Sequence, residues 1–169
     1  MGCDITSVVE VRENDLWHVI YPEFKFDEHM YTNPFPYRSY SLFAFLAGVR
    51  NYSKIKPLIE QRGLPEDISD GAKGEFGYWD TFGFNSEPYF TWNSHYGSFS
   101  HIYLKELIDF DYTQELEDRR YNGDTLPEGE GVKMTYDEYI GGHIEPVVKT
   151  LTQLGKNPED VRIVFAFDN

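Results

Sequence analysis

The sequence predicts a single α+β domain spanning residues 1–169, in which a mainly antiparallel sheet is covered by two or more helices. Residues from Asp4 to Arg12 alternate as a strand does, apolar residues recur at helical spacing within 39–50, and residues 161–167 are apolar almost throughout. A chain of 169 residues is typically one domain, and its 40% hydrophobic content is enough for a core. The segment 71–100, rich in aromatic residues and glycine, is predicted to be a long loop region.

The N-terminal residues predict a β-hairpin. Its first strand covers 4–12, and the sequence Glu-Asn-Asp at 13–15 suits a turn. β-branched and aromatic residues at 16–21 predict the second strand, which Pro22 ends. The proline-rich stretch 31–37 cannot be helical, because each proline restricts the residue before it.

Apolar residues at helical spacing predict several short helices. Ser39 or Ser41 is expected to cap the first of them, which runs to about Arg50. The second helix is predicted at 54–61, where Gly63 and Pro65 follow it, as expected at a helix C-terminus. Two further short helices are predicted, an amphipathic one at 102–110 and an acidic one at 113–121.

The longest helix is predicted at 136–154. A capping box at Thr135–Glu138 opens it, and Gly141, Gly142 and Pro146 predict a kink in its interior. The strand at 161–167 follows. Because this strand is apolar almost throughout, we expect it in the interior of the sheet. As a separate hypothesis, we place it beside the first strand.

Ten aromatic residues lie between Gly71 and Ser100 with no clean helical or strand period. A long irregular segment inside a domain favours a functional loop or a binding surface. A small aromatic core that holds a β-hairpin together explains the same composition. The ten residues are Phe76, Tyr78, Trp79, Phe82, Phe84, Tyr89, Phe90, Trp92, Tyr96 and Phe99.

Composition and charge exclude several classes of protein. The 15 Lys and Arg against 29 Asp and Glu give a net charge of −14, which argues against direct binding of nucleic acid or of anionic membranes. No apolar run approaches the roughly 20 residues of a membrane-spanning helix, and no secretory signal is recognised. Cys3 is the only cysteine, which fits a reducing cytoplasm. We expect a cytoplasmic protein without cofactor or metal.

The conventional enzyme motifs do not occur in the chain. It contains no G-x-x-x-x-G-K-[ST], H-E-x-x-H, G-x-S-x-G or G-x-G-x-x-G pattern. The five histidines have no close ligand spacing. These observations favour a binding protein over an enzyme.

Several stretches resemble a family of small bacteriophage and prophage proteins that begin with MGCDIH and end with VFWFDN. Members of this family are usually described only as hypothetical phage proteins. The resemblance implies a phage-encoded accessory protein acting in a bacterial host. The matching stretches are Met1–Ile5, Arg38–Asn51, Arg62–Pro65 and Val161–Asn169, and Asn93–Leu107 is similar to a further family block.

This chain departs from the family at positions that could bind a metal. Thr6 stands where the family has a histidine, Asn93 replaces an aspartate and Gly97 replaces a second histidine, whereas His95 is retained. Imidazole and carboxylate groups suit Zn²⁺ and similar ions, so the resemblance implies a metal or acid–base site in relatives. In this chain no metal site is expected.

Acidic side chains cluster on consecutive segments from Glu106 to Glu130. Such a density of carboxylates steers the protein towards basic partners. In a phage this predicts a DNA-mimicking inhibitor that binds a host defence or nucleic-acid-processing protein; the alternative is charge that only maintains solubility. The predicted partner-binding residues are Glu106, Asp109, Asp111, Glu115, Glu117 and Asp118.

A second hypothesis is that the protein binds or hydrolyses a phosphate-containing, nucleotide-like small molecule, with or without a metal. Arginines beside aromatic rings can hold a phosphate while a base stacks on the ring. The alternative for each arginine is a salt bridge to one of the many carboxylates. The candidate ligand-binding residues are Arg38, Arg50, Arg62, Trp79 and Trp92, and the catalytic candidates are Asp4 and His95.

Overall fold

Four strands from the beginning, middle and end of the chain form one antiparallel sheet in the computed structural model, which describes residues 2–80 and 87–168. The strands are β1 (Asp4–Glu13), β2 (Leu16–Ile20), β3 (Phe24–Phe26), β4 (His29–Tyr31), β5 (Gly77–Asp80), β6 (Tyr89–Trp92), β7 (Tyr96–Tyr103), β8 (Glu115–Asp118), β9 (Arg120–Tyr121), β10 (Asp124–Thr125), β11 (Val132–Thr135) and β12 (Val161–Asp168). The helices are α1 (Tyr40–Ala47), α2 (Asp70–Phe76), α3 (Leu104–Asp109), α4 (Tyr136–Ile140) and α5 (Glu145–Thr152), and a short 3-10 helix spans Pro158–Asp160. This content confirms the predicted α+β class.

The central sheet has the strand order β2-β1-β12-β7, and all of its neighbouring strands are antiparallel. β1 and β2 form the predicted hairpin, with Asn14 and Asp15 in the left-handed conformation at the turn (φ 50° and 62°). β12 lies between β1 and β7, with Phe167 opposite Ile5 of β1. The expected interior position of the last strand, beside the first, is confirmed.

Both faces of the sheet are covered, which explains why β12 is apolar almost throughout. Phe165 and Phe167 face the larger core, which the side chains of α1, α3, α4 and α5 complete. Val164 and Ala166 face a smaller core beneath α2. All four side chains are 0% exposed.

The first helix begins at the predicted cap and ends earlier than predicted. The Ser39 Oγ accepts a hydrogen bond from the Leu42 N–H at 3.3 Å, which caps α1. Gly48 has a φ of 68°, and this left-handed residue ends α1 at Ala47, before Arg50.

The predicted helix at 136–154 is two helices, α4 and α5. The Thr135 Oγ1 accepts from the Glu138 N–H at 3.2 Å, so Thr135 caps α4 as expected, but the Glu138 carboxylate accepts from the Thr135 hydroxyl and not from the Thr135 N–H that a full capping box requires. Gly141 and Gly142 then have φ values of 68° and 81°. Two consecutive left-handed residues cannot continue a right-handed helix, so the chain breaks where a kink was predicted.

No helix forms at 54–61, and that prediction is wrong. The Lys56 carbonyl accepts from the Tyr136 hydroxyl at 2.8 Å, and the Leu58 N–H donates to the Phe45 carbonyl at 2.6 Å. These bonds to distant parts of the chain replace the bonds that a local helix would make.

The predicted acidic helix at 113–121 is also wrong, because β8 and β9 occupy the segment. β8 pairs with β11, which places Glu117 opposite Lys133, and the Lys133 Nζ lies 3.7 Å from the Glu115 Oε1. A helix would stack these acidic side chains on one another, whereas the strand pair places them beside a lysine. Residues 122–134, which follow this segment, contain β10 and most of β11.

Regular structure occupies most of the described part of the segment 71–100, where a loop was predicted. α2 extends through its first residues, β5 and β6 pair as a hairpin, and β7 is an edge strand of the central sheet. The alternative interpretation, a β-hairpin held together by aromatic rings, agrees with this arrangement. Phe82 and Phe84 of the aromatic set, and Met1 and Asn169 of the family motifs, lie outside the described residues.

The helices are short. The longest, α1 and α5, have eight residues each, or about 12 Å at about 1.5 Å per residue. Within residues 2–80 and 87–168, no helix has the length and apolar character needed to cross a membrane.

Candidate functional site

The six predicted partner-binding acids lie on two consecutive parts of the chain. β7 continues through Tyr103, so α3 begins at Leu104 instead of at the predicted Ile102. Glu106 and Asp109 lie on α3, Asp111 follows it, and Glu115, Glu117 and Asp118 lie on β8.

Positive side chains compensate both carboxylates of α3. Arg62 donates two hydrogen bonds to Glu106, from Nη2 at 2.6 Å and from Nη1 at 3.2 Å, and the Tyr103 N–H donates to the same carboxylate at 2.8 Å. The Lys105 Nζ lies 2.7 Å from the Asp109 Oδ2, one helical turn away. Exposed pairs of this kind add little stability, but they reduce the negative charge that a partner meets.

Asp111 keeps its negative charge uncompensated. Its Oδ1 accepts from the Thr113 hydroxyl at 2.6 Å and from the Thr113 N–H at 3.0 Å, and these hydrogen bonds lower the pKa of the Asp111 carboxyl. Within the described ranges no Lys or Arg lies within 4.0 Å of it. Asp111 is therefore an exposed anion at the end of α3.

Asp118 and Glu117 stabilise neighbouring turns. The Asp118 side chain is only 11% exposed and accepts from Arg120 Nη2 at 2.6 Å and from Ser53 Oγ at 2.7 Å. Burial alone would raise the pKa of Asp118, but these hydrogen bonds outweigh it and the pKa is lowered. The Glu117 Oε1 accepts from the Gly131 N–H at 2.7 Å. These two acids are less accessible to a partner than the sequence suggests.

An apolar groove of 430 Å³ lies between α3 and α5, next to the acids of α3. Ile108 is the most exposed of its apolar side chains, with 42% of its surface exposed. The Tyr112 hydroxyl donates to the Leu107 carbonyl at 2.7 Å, so its polar atom is already bonded. The lining residues are Leu107, Ile108, Tyr112, Asp137, Ile144, Glu145, Val148 and Lys149.

The groove exists because α3 and α5 carry more apolar surface than the core covers. Leu107 on α3 and Val147 and Leu151 on α5 are buried. Ile108 and Val148, each one residue further along, extend the apolar surface of each helix outward. Only the acids of this surface were predicted from the sequence, and Ile108 and Val148 are the residues that could have indicated the groove.

A second depression of 340 Å³ lies on the other side of Ile108. It is lined by Lys105, Ile108, Asp109 and the residues 157–159. Ile108 therefore lines both depressions, and its apolar side chain lies between them on the exposed side of α3.

Carboxylates dominate the charge at the rim of the larger groove. Asp137 is positioned by its N–H, which donates to the Tyr112 carbonyl at 3.0 Å, and Glu145 begins α5. In the described part of the chain, neither carboxylate has a Lys or Arg within 4.0 Å, and Lys149 is the single cation among the lining residues. A partner entering the groove would meet an apolar floor and a net negative rim.

The predicted ligand-binding Arg38 is paired with the catalytic candidate Asp4. The Arg38 Nε donates to the Asp4 Oδ1 at 2.6 Å, and both side chains are about half exposed, at 51% and 52%. The hydrogen bond from Arg38 lowers the pKa of the Asp4 carboxyl and raises the pKa of the guanidinium. Arg38, like Arg62, therefore forms the salt bridge that the alternative interpretation expects.

Arg50 differs from the other two candidate arginines because it lies beside the buried Cys3 thiol. Its Nη1 donates to the Tyr52 hydroxyl at 3.4 Å, and its Nε is buried without a hydrogen-bond partner among the described residues. Burial raises the pKa of the Cys3 thiol, and the neighbouring guanidinium opposes that effect. Of the three candidate arginines, Arg50 is the one whose charge no described carboxylate compensates.

Trp79 and Trp92 lie on the β5–β6 hairpin and are 54% and 41% exposed. The Phe90 ring lies between them, at 5.4 Å from Trp79 and 4.6 Å from Trp92, and Phe99 of β7 lies 5.6 Å beyond Trp92. This row of rings anchors the hairpin on the central sheet. Within the described residues none of the three candidate arginines lies over either tryptophan ring.

The positions at which this chain departs from the phage family lie at one end of the central sheet. The Thr6 hydroxyl donates to the Tyr96 hydroxyl at 3.2 Å, and His95 directly precedes Tyr96. Asp4 lies opposite Asp168, which lies opposite Tyr96, so Asp4 is two strand spacings from Tyr96, or roughly 10 Å. Residues 2–80 and 87–168 contain no group of three His, Cys, Asp or Glu that could hold a metal ion.

Comparisons of this chain with protein-family models, with curated proteins and with solved structures find no match.

Proposed function

We propose that this chain is a phage-encoded accessory protein that acts in the host cytoplasm, where it binds a basic segment of a host protein and inhibits that protein without catalysing a reaction. The observation that carries the proposal is the apolar groove between α3 and α5 with Asp137 and Glu145 at its rim. The proposal places the contact at α3, within the acidic region that the sequence indicates, and extends it to α5.

The composition of the groove suits an amphipathic basic segment. Apolar residues of such a segment would pack on Ile108 and Val148, while its Lys and Arg side chains would lie near the rim carboxylates. The net charge of −14 increases the rate of encounter with a basic partner. The apolar floor supplies affinity, and the acidic rim supplies selectivity against acidic partners.

The groove lining favours binding over catalysis. Its residues include neither histidine nor cysteine, and the one hydroxyl, that of Tyr112, is bonded to the Leu107 carbonyl. Glu106 and Asp109, the nearest carboxylates on α3, are held by Arg62 and Lys105. The groups that remain free at this surface are suited to electrostatic recognition.

The proposal is tested with a host protein captured from bacterial lysate on the immobilised chain, purified and titrated by calorimetry. The double variant Asp137→Lys/Glu145→Lys and the variant Ile108→Asp should each weaken binding about tenfold or more, which is about 1.4 kcal/mol. The matched control Glu60→Lys/Glu66→Lys reverses two exposed acids outside the groove.

The expected result is loss of affinity in both groove variants, with the control near the wild-type value and with an affinity that falls as salt is added. Equal affinity in the wild type and both groove variants would overturn the proposal, as would an equal loss in the control. Circular dichroism of each variant shows that the fold is retained.

The buried, unpartnered Nε of Arg50 favours a second candidate, a site for a phosphate-containing, nucleotide-like molecule that is bound or hydrolysed. Titration with inorganic phosphate and with ADP checks it directly. Binding that Arg50→Gln abolishes and that Arg38→Gln leaves intact would support this candidate. Absence of binding by the wild type at millimolar ligand would exclude it.

A further inference from the structure

One edge of the central sheet is incomplete. β1 has ten residues, but β2 pairs only with residues 9–13 of β1, since β2 ends at Ile20 and Pro22 follows. Residues 5–8 of β1 therefore pair with β12 on one side and have no strand on the other side in the described part of the chain.

The hairpin geometry shows which backbone groups face this open edge. The two-residue turn at Asn14 and Asp15 makes Glu13 and Leu16 a hydrogen-bonded pair. Hydrogen-bonded pairs recur at every second residue, so odd-numbered residues of β1 direct their N–H and C=O groups towards β2 and even-numbered residues direct theirs towards β12. Beyond the end of β2, Ile5 and Ser7 consequently direct their backbone groups into the gap.

Ser7 concentrates unsatisfied polar groups at this edge. It is only 9% exposed, and its hydroxyl oxygen is buried without a hydrogen-bond partner. Among the described residues, no backbone bond to a turn or loop satisfies the N–H or C=O of Ile5 or Ser7. Buried polar groups in folded proteins are nearly always paired, so this cluster indicates a site that a ligand or water completes.

A cavity of 220 Å³ lies against these groups. Tyr21 and Glu75 stand at its rim, and the Tyr21 hydroxyl donates to the Glu75 Oε1 at 2.8 Å. Glu75 is the only charged group that lines the cavity in the described ranges. The lining residues are Ile5, Thr6, Ser7, Val8, Tyr21, Thr32, Asn33 and Glu75.

We propose that this gap is a docking site for an extended peptide segment of a partner protein, which adds to the sheet as a strand beside residues 5–8 of β1 and carries a Lys or Arg next to Glu75. The donors and acceptors of Ile5 and Ser7 are spaced two residues apart, about 6.8 Å, which matches the spacing of a neighbouring strand. The single carboxylate at the rim selects a basic side chain. The site shares no lining residue with the α3–α5 groove, so it stands or fails separately from the proposed function.

The first measurement is amide hydrogen exchange by NMR on the full chain. The amides of Ile5 and Ser7 should exchange roughly tenfold or more faster than those of Thr6 and Val8, because only the latter donate to β12. Equal protection of all four amides would show that the edge is closed and would overturn the proposal.

The second measurement titrates a six-residue peptide of alternating arginine and valine into the ¹⁵N-labelled chain. The amide signals of Ile5 and Ser7 should shift, and Glu75→Gln should weaken binding about threefold or more, while the control Glu60→Gln leaves it unchanged. A peptide of alternating glutamate and valine, and the basic peptide with N-methyl groups on alternate residues, should fail to bind.

Three outcomes contradict the docking site. They are shifts confined to other residues, equal binding of the N-methylated peptide, and a dimer of the free chain that protects the amides of Ile5 and Ser7. The last result would assign the edge to a second copy of the chain. If the docking site is contradicted, the binding measurements on the groove variants still test the proposed function independently.

Discussion

Arg162 lies directly opposite Glu10 across the β1–β12 pair, and both side chains are 0% exposed. The Arg162 Nε donates to the Glu10 Oε1 at 2.7 Å, and Nη1 donates to the Asp67 Oδ1 at 2.7 Å. The guanidinium also lies 3.8 Å from the centre of the Trp17 ring. This buried cation joins the two central strands to the loop that leads into α2.

Removal of one partner of this pair should destabilise the protein strongly. Arg162→Met leaves the buried Glu10 carboxylate without a cation, with only its hydrogen bond from the Ser69 N–H, and we expect the free energy of unfolding to fall by about 3–5 kcal/mol in urea denaturation. The double variant Glu10→Met/Arg162→Met should recover much of that loss. The control Glu13→Ala removes an exposed pair with Lys156 and should cost about 1 kcal/mol or less. Equal losses in the single and double variants would contradict the prediction.

The buried His101 should make stability depend on pH. Burial lowers the pKa of the His101 imidazole, although its hydrogen bond with the Gly63 carbonyl, at 2.8 Å, opposes the effect. Below about pH 6.5 the unfolded chain binds a proton that folded His101 binds only at lower pH, so stability is lost as the pH falls. His101→Gln should reduce this dependence between about pH 7 and 5, measured by urea denaturation. Identical slopes in wild type and variant would contradict it.

Two glycine substitutions should have opposite effects. Gly74 lies inside α2, and nothing lies within 4 Å of the position that a Cβ would take, so Gly74→Ala should raise the free energy of unfolding by about 0.5–1 kcal/mol. Gly141 also has open space, but its φ of 68° is strained for any side chain, and Gly141→Ala should cost about 1–2 kcal/mol. Urea denaturation of both variants checks the pair, and a stabilising Gly141→Ala would contradict it.

The three tryptophans should differ in their accessibility to a quencher. Trp79 and Trp92 are 54% and 41% exposed, whereas Trp17 is 8% exposed beneath Arg162. In variants that retain one tryptophan, with phenylalanine at the other two positions, acrylamide should quench Trp79 most and Trp17 least, because quenching requires contact with the ring. Similar quenching of Trp17 and Trp79 would contradict the position of the β5–β6 hairpin.

Local signals predicted the elements that depend mainly on neighbouring residues. Ser39 caps α1, the turn at Asn14 and Asp15 forms the first hairpin, and the apolar run of β12 indicates an interior strand. These elements follow from caps, turns and periodicity, which act over a few residues.

Contacts between distant residues decided the elements that the sequence predicted wrongly. The segment 54–61 has helix-forming residues, but its backbone bonds to Phe45 and Tyr136 instead. The acidic segment 113–121 becomes strands because β8 pairs with β11 and β9 pairs with β10, and because Leu116 of β8 is buried in the larger core. Helix propensity amounts to a few tenths of a kcal/mol per residue, which such contacts exceed.

Patterns along the chain were enough to predict the α+β class, the order of the terminal strands and an acidic region that begins at Glu106. Which of those acids remain free follows from the folded chain, since Arg62 reaches Glu106 from 44 residues away. The groove likewise arises where α3 meets α5, and the open edge of β1 arises because β2 is shorter than β1. The physical reason is that local patterns specify elements, whereas charge compensation and cavities depend on how those elements pack.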